Sequence, residues 1–305
     1  MSPSGPRPTP RPADASGEFV APARGIRLRG SSERPDEPDE VPAAAAPTGS
    51  RSAPARHDEL RLCGLAAVKA RFARDPNSIK RLFFDRETGQ RVGAICRVLA
   101  REKKVYRQVE PDELAKIAGS IHHGGIVAVV YLPPLRTPTG EGVRGWAKRG
   151  EALLILDRIG NAHNLGAVAR TAAFFGVPRL VIPDDPGAAR PNDAAYRVAE
   201  GGFEHLEVWR VPDLVGFVRE LAHAGFDVVG AATRGGKLGG KTGDVKASKP
   251  VALILGNEEQ GLAPDVVAAC SRVVTIPGTG AIESLNVSVA AAVLMWELLA
   301  KPREK

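Results

Sequence analysis

Cysteine is scarce and scattered. Cys63, Cys96 and Cys270 are the only three in 305 residues and none belongs to a Cys-x-x-Cys pair, so neither a disulfide framework nor a cysteine zinc site is implied. Apolar runs are short as well: none reaches the ~20 residues that cross a bilayer, and no membrane partner is expected. The opening Met1-Ser-Pro-Ser-Gly-Pro lacks an apolar signal core, and the acids scattered through residues 1–59 argue against a transit peptide. The expected location is the cytoplasm. His122-His123 runs directly into Gly124-Gly125, which reads as a turn, and no metal is expected.

What is present divides along the chain. With 43% hydrophobic and 25% charged residues, one or two ordinary cores can be buried. Residues 1–55 hold Pro, Ala, Ser, Gly and Arg with almost no large apolar side chains, so they cannot offset the entropy of ordering and are expected to form a disordered tail. The net charge of +7 is not evenly spread: residues 60–130 carry 14 Lys/Arg against 7 Asp/Glu, while residues 131–305 carry 20 against 19. A basic module joined to a nearly neutral one suggests that the first docks a phosphate backbone while the second does chemistry.

The basic module spans 58–131 and alternates element types. Strand-like Ile79 to Asp85, helix-like Gln90 to Glu102, strand-like Lys104 to Val109, a short helix from Pro111 to Ala118 and a closing strand from Ile126 to Tyr131 make an α/β unit. Residues 132–150, beginning Leu-Pro-Pro-Leu-Arg-Thr-Pro-Thr-Gly, read as a Pro/Gly linker that acts as a hinge.

Three loops in the remaining segment, 151–302, carry polar residues and glycines. The apolar strand Leu153 to Asp157 runs into Asn161, His163, Asn164 and Gly166, with a helix expected from about Ala167 to Phe175 and Asn164 placed to cap it. The strand Val251 to Leu255 ends in Gly256-Asn257-Glu258, then Gly261-Leu262. Ile276-Pro-Gly-Thr-Gly-Ala-Ile-Glu-Ser284-Leu285-Asn286-Val-Ser288 precedes an apolar helix, Val289 to Leu299, with Ser284 or Asn286 available as its cap. Polar loops at the carboxyl ends of buried strands are where open α/β sheets bind ligands.

In this order, Asp157-x-Ile-x-Asn161-x-x-Asn164-x-Gly166-x-x-x-Arg170, Gly256-x-Glu258-x-x-Gly261-Leu262 and Ile276-Pro277-x-x-Gly280-x-x-x-Ser284-Leu285-Asn286-Val-Ser288 resemble the three motifs of the SpoU/TrmH family, RNA ribose 2′-O-methyltransferases of the SPOUT class. The family usually has Pro where Ala162 stands and often Met where Gly278 stands. The basic module resembles the L30e-like substrate-binding domain that precedes many such catalytic domains, most closely at His123-Gly124-Gly125-Ile126-Val127-Ala128. The resemblance implies an α/β SPOUT domain whose parallel sheet carries a deep trefoil knot, a homodimer with sites near the subunit interface, S-adenosyl-L-methionine as cofactor and structured RNA (tRNA or rRNA) as partner. It implies cofactor contacts at Thr233, Gly256, Ile276 and Leu285. It implies that catalytic duties fall to Arg170, Asn164, Glu258, Ser284 and Asn286.

Two rival functions have some support in the sequence. Gly235-Gly-Lys-Leu-Gly-Gly240-Lys241-Thr242 matches the P-loop pattern of a nucleotide hydrolase, but a P-loop needs a helix starting at its Gly-Lys-Thr. Here only seven residues separate Thr242 from Pro250, and Val251 begins the next strand. The other rival is a catalytically silent RNA-binding protein, which has no need of the polar set that this chain retains.

Overall fold

A computed structural model describes residues 59–233 and 249–299, all within one compact unit, 54–305. The expected disordered tail and the P-loop-like Gly235 to Thr242 both lie outside the described residues.

The first sheet contains β1 (Glu59–Cys63), β2 (Ile79–Phe84), β3 (Val105–Gln108) and β4 (Ile126–Tyr131) in the order β1-β4-β2-β3, with only β2 and β3 parallel. Between them stand α1 (Leu65–Arg74), α2 (Arg86–Gly89), α3 (Gly93–Arg101) and α4 (Pro111–Ala118). β4 is apolar at nearly every position because it is covered on both faces. Its Ile126, Ala128 and Val130 join the main core with Val68 and Leu99, whereas Val127 meets Leu114 and Ala118 of α4. Pro111 opens α4 as expected, and Gly119 closes it at φ 65.

The second sheet has six strands, all parallel, in the order β10-β8-β9-β5-β6-β7. In chain order the elements are α5 (Gly140–Lys148), β5 (Leu153–Asp157), α6 (Ala162–Phe175), β6 (Arg179–Pro183), α7 (Asp193–Ala199), β7 (Glu207–Val211), α8 (Leu214–His223), β8 (Asp227–Ala231), β9 (Val251–Gly256), α9 (Pro264–Ala269), β10 (Arg272–Val274) and α10 (Val287–Leu298). Leu154 and Leu156 of β5 face the core formed with α6 and α10, while Leu153 and Ile155 face Val143, Phe217 and Leu221. Strands β5, β6 and β7 step outward in one direction; the chain then crosses to β8 and returns to insert β9 beside β5. That reversal leaves a crevice at the carboxyl ends of β5, β9, β8 and β10. No helix among the described residues is long and apolar enough to cross a membrane.

Two local expectations need correction. Residues 132–150 do not form an open hinge: α5 occupies half of the segment, with Val143 and Trp146 buried one turn apart. Trp146 meets Trp209 edge-on at 5.3 Å and lies under the Arg179 guanidinium. Pro and Gly composition masked this short amphipathic stripe. The second correction concerns α6, which begins at Ala162 because Asn161, not Asn164, is its cap; the Asn161 Oδ1 accepts from the His163 and Asn164 amides at 2.8 and 3.4 Å. The Asn164 side chain is thereby released for other use.

Ala162 is the first residue of that helix, where an amide has no intrahelical partner, and Asn161 is extended at φ −89 and ψ 119, as a residue before proline must be. Ala162→Pro is therefore expected to raise unfolding stability by about 0.4–1 kcal/mol through the unfolded chain. Urea titration checks this, and a lowered midpoint would show that the Ala162 amide has a partner in the fold.

The two sheets are docked through a polar seam set in shared core. Arg71 of α1 is buried against Glu204, 2.8 Å away, and donates to the Tyr196 hydroxyl at 3.3 Å. Arg74 donates to the carbonyls of Phe203 and Leu206, and Arg61 pairs with Asp193 at the rim. Neither Glu204 oxygen accepts a well-angled hydrogen bond among the described residues, so the Arg71 contact is an ion pair by distance alone. Burial pushes the Glu204 carboxyl up, against the opposing pull of Arg71 and Arg74, and pushes the Tyr196 phenol up to about 12.

Candidate active site

The loop after β9 is built around a narrow turn. Asn257 and Gly261 exchange backbone hydrogen bonds at 3.2 and 2.9 Å, and the Asn257 Oδ1 accepts from the Glu259 and Gln260 amides. This fold-back requires glycine at 256: a Cβ there would lie 2.4 Å from the Gly261 carbonyl carbon and 2.5 Å from the Leu262 nitrogen. The turn is tied to the end of β5 by Asp157 and Arg158. Buried Asp157 accepts from the Ala263 amide at 2.7 Å and from the Arg158 Nε at 3.0 Å. Arg158, held at φ 58, reaches the Gln260 side chain and the Gly261 carbonyl, and its own carbonyl accepts from Asn257 Nδ2. Two of the three motif loops are thus one rigid piece.

The third loop joins them through side-chain amides. Asn286 caps α10 by accepting from the Ser288 amide at 2.9 Å and the Ser288 hydroxyl at 2.6 Å. Its Nδ2 donates to the Asn164 Oδ1 at 3.1 Å, and the Asn164 Nδ2 in turn donates to the Glu258 carboxylate. Glu258, Asn164 and Asn286 form a continuous relay across three loops that are up to 122 residues apart in sequence.

A cleft of about 640 Å³ opens between the β9 loop and the segment after β10. All four residues expected to contact cofactor, Thr233, Gly256, Ile276 and Leu285, line it, together with Glu258 and Ser284. Leu255, Ile276 and Leu285 give it apolar walls, and its charged lining residues are Glu258 and Glu283, with no Lys or Arg among the described ones. Such walls fit a flat, partly apolar ligand that carries positive charge.

Asn164 and Asn286 do not line the cleft themselves but reach it through Glu258, whereas Arg170 has no bond to that relay among the described residues. Arg170 lies on α6 with its side chain 56% exposed, does not line the cleft, and is paired with Glu200 at 2.9 Å. The three motifs assign no role to Asp157, Arg158 or Glu200. Asp157 was visible as the first residue of its motif. Nothing in the sequence pattern marked Arg158 or Glu200, since their roles depend on left-handed backbone at φ 58 and φ 46.

Comparison with known proteins gives this geometry a family. Residues 151–296 match the SpoU rRNA Methylase family, and residues 61–134 match the RNA 2'-O ribose methyltransferase substrate binding family. The chain is 34% identical over 246 residues to the Uncharacterized tRNA/rRNA methyltransferase YfiF of Escherichia coli O157:H7, covering 79% of this chain and 68% of that one. It is 32% identical over 236 residues to the 23S rRNA (guanosine-2'-O-)-methyltransferase RlmB of Nitrosomonas europaea, covering 77% and 88%. Among solved structures, the AdoMet-bound rRNA methyltransferase from Sinorhizobium meliloti superposes with a TM-score of 0.63 at 24% identity, over 78% of this chain and 86% of that one, which shows a common fold. With both modules matched in chain order, the chain belongs to the SpoU rRNA methylase family and is an RNA methyltransferase.

Proposed function

We propose that this chain transfers a methyl group to a ribose 2′-hydroxyl in structured RNA, tRNA or rRNA, in the cytoplasm. Its cofactor is S-adenosyl-L-methionine, which when bound supplies an electrophilic methyl group on a sulfonium. The observation that carries the reading is the Glu258–Asn164–Asn286 relay, whose Glu258 lines a cleft with only negative lining charges among the described residues. Gly256, Ile276 and Leu285 hold the cofactor through backbone and apolar contacts, with Thr233 at the cleft edge. Asn164 orients the reacting hydroxyl, and Ser284 and Asn286 hold the loop and an RNA phosphate.

Arg170 carries the chemistry in this reading. A guanidinium stays protonated in proteins and is no base, so its part is to stabilise the developing alkoxide while the proton leaves through phosphate or water. Glu258, already accepting from Asn164, is an orienting partner.

The molecule is read as four segments: a tail at 1–55, an L30e-like RNA substrate-binding domain at 58–131, a connecting segment at 132–150 and the SPOUT domain at 151–302. In the last, the chain after β10 threads a loop to form the deep trefoil knot. A homodimer is supported by an uncovered apolar face on α6 and α10, where Phe174 is 83% and Trp296 67% exposed beside Val289 and Val293. Arg170 and Phe174 are one turn apart on the same face of α6, so pairing through this face puts Arg170 at the subunit junction.

Calorimetry with S-adenosyl-L-methionine alone tests the cleft. The wild type is expected to bind, and Leu285→Arg or Ile276→Asp to abolish binding by filling or charging the pocket; unchanged affinity in both variants places the cofactor elsewhere, and tight ATP binding instead favours the nucleotide hydrolase. RNA docking is tested by charge. Arg91, Arg97 and Arg101 are exposed around α3, and replacing them by Gln is expected to weaken RNA binding and to reduce the slope of log affinity against log salt by about 0.7–0.9 per lost phosphate contact. An unchanged slope assigns the phosphate contacts to other residues.

A further inference from the structure

We propose that Glu200 is a positioning residue for Arg170, and that the segment carrying it ties the placement of Arg170 to the docked substrate-binding module. The inference rests on the reaction proposed above. Glu200 ends α7 at φ 46 and ψ 42, a left-handed conformation that is unfavourable for a non-glycine residue. It persists because its neighbours are fixed on two sides. Gly201 lies against α1, where a Cβ would come 3.2 Å from the Ala67 Cα, and Gly202 lies against α6, where a Cβ would come 2.8 Å from the Cα of Arg170 itself. The Phe203 carbonyl accepts from Arg74, and buried Glu204 pairs with Arg71.

The run 200–204 is therefore wedged between α1 of the first sheet and α6 of the second. Its first residue holds the Arg170 guanidinium at 2.9 Å, with both side chains more than half exposed. An ion pair of that exposure contributes little to folding, so stability gives it little purpose. Its consequence is orientation: Arg170 has several rotatable bonds, and small misplacement of a group that acts on a reacting atom lowers rate steeply. Since the wedge contacts both sheets, RNA held by the first module meets an arginine whose position is set by the same contacts.

Single-turnover methyl transfer at saturating RNA and cofactor tests this with Glu200→Ala, Glu200→Gln, Arg170→Ala and the double variant Arg170→Ala/Glu200→Ala. Glu200→Ala is expected to lower the rate about 10-fold with KM for RNA, cofactor affinity and melting temperature unchanged. Glu200→Gln, which keeps an acceptor oxygen, should retain part of the rate. In the Arg170→Ala background the Glu200→Ala change should have no further effect, because coupled groups are not additive. An equal loss in both backgrounds, or no loss in either, overturns the proposal. Absence of RNA methyl transfer by the wild type is a different result and removes the reaction reading beneath it.

Discussion

Arg170→Ala is expected to lower single-turnover methyl transfer by about 10²-fold or more, as does removal of a preorganised donor to a developing oxyanion elsewhere, while RNA and cofactor affinities stay close to those of the wild type. The cofactor expectation follows from geometry, since Arg170 does not line the cleft. Folding should also be spared: the side chain is exposed and its ion pair with Glu200 is on the surface, so a stability change within about 0.5 kcal/mol is expected. Arg170→Lys should rescue only part of the rate, because an ammonium lacks the planar donor fork. Rate and RNA binding falling together reassigns Arg170 to substrate docking, and a lysine variant at wild-type rate reduces its role to charge alone.

The largest effect on stability is expected at the seam between the sheets. Arg71→Met leaves Glu204 buried without its partner and should destabilise the protein by about 3–5 kcal/mol, whereas Arg71→Met combined with Glu204→Leu should recover most of that loss. Recovery is favoured here because the pair is imperfect, with the Glu204 oxygens and the Arg71 Nε lacking well-angled hydrogen-bond partners among the described residues. Chemical denaturation of the three proteins measures it. A double variant as unstable as the single one shows that the charges, not their desolvation, hold the modules together. The same seam rules out excision of residues 60–130 as a clean test of RNA docking, since it strips cover from Tyr196 and Phe203, which pack in the core with Ala67 and Val68.

Much of the site was legible because it is local. Strands β5 and β9 are continuous apolar runs that end in glycine and amide residues, a pattern that points to the carboxyl ends of the strands, while the motif resemblance singles out Gly256, Glu258, Ile276, Ser284 and Leu285, all of which line the cleft. What spacing cannot convey is which of two nearby asparagines caps a helix. Asn161 and Asn164 are three apart and chemically equivalent, and only the backbone turn decides that the first satisfies the amides while the second reaches Glu258. The Asn286–Asn164 bond was equally invisible, since it joins loops 122 residues apart that meet only because α10 packs against α6. The helix in residues 132–150 was hidden for another reason: one buried Val143–Trp146 pair outweighs a loop-like composition once Trp209 and Arg179 are there to cover it.

The central claim is methyl transfer to a ribose hydroxyl of RNA, and mapping 2′-O-methyl positions in total RNA from cells with and without the gene tests it most directly. Loss of at least one 2′-O-methyl position without the gene, restored by the wild-type chain and not by Arg170→Ala, is the predicted result. An unchanged map, or a change confined to base methylation, would contradict it.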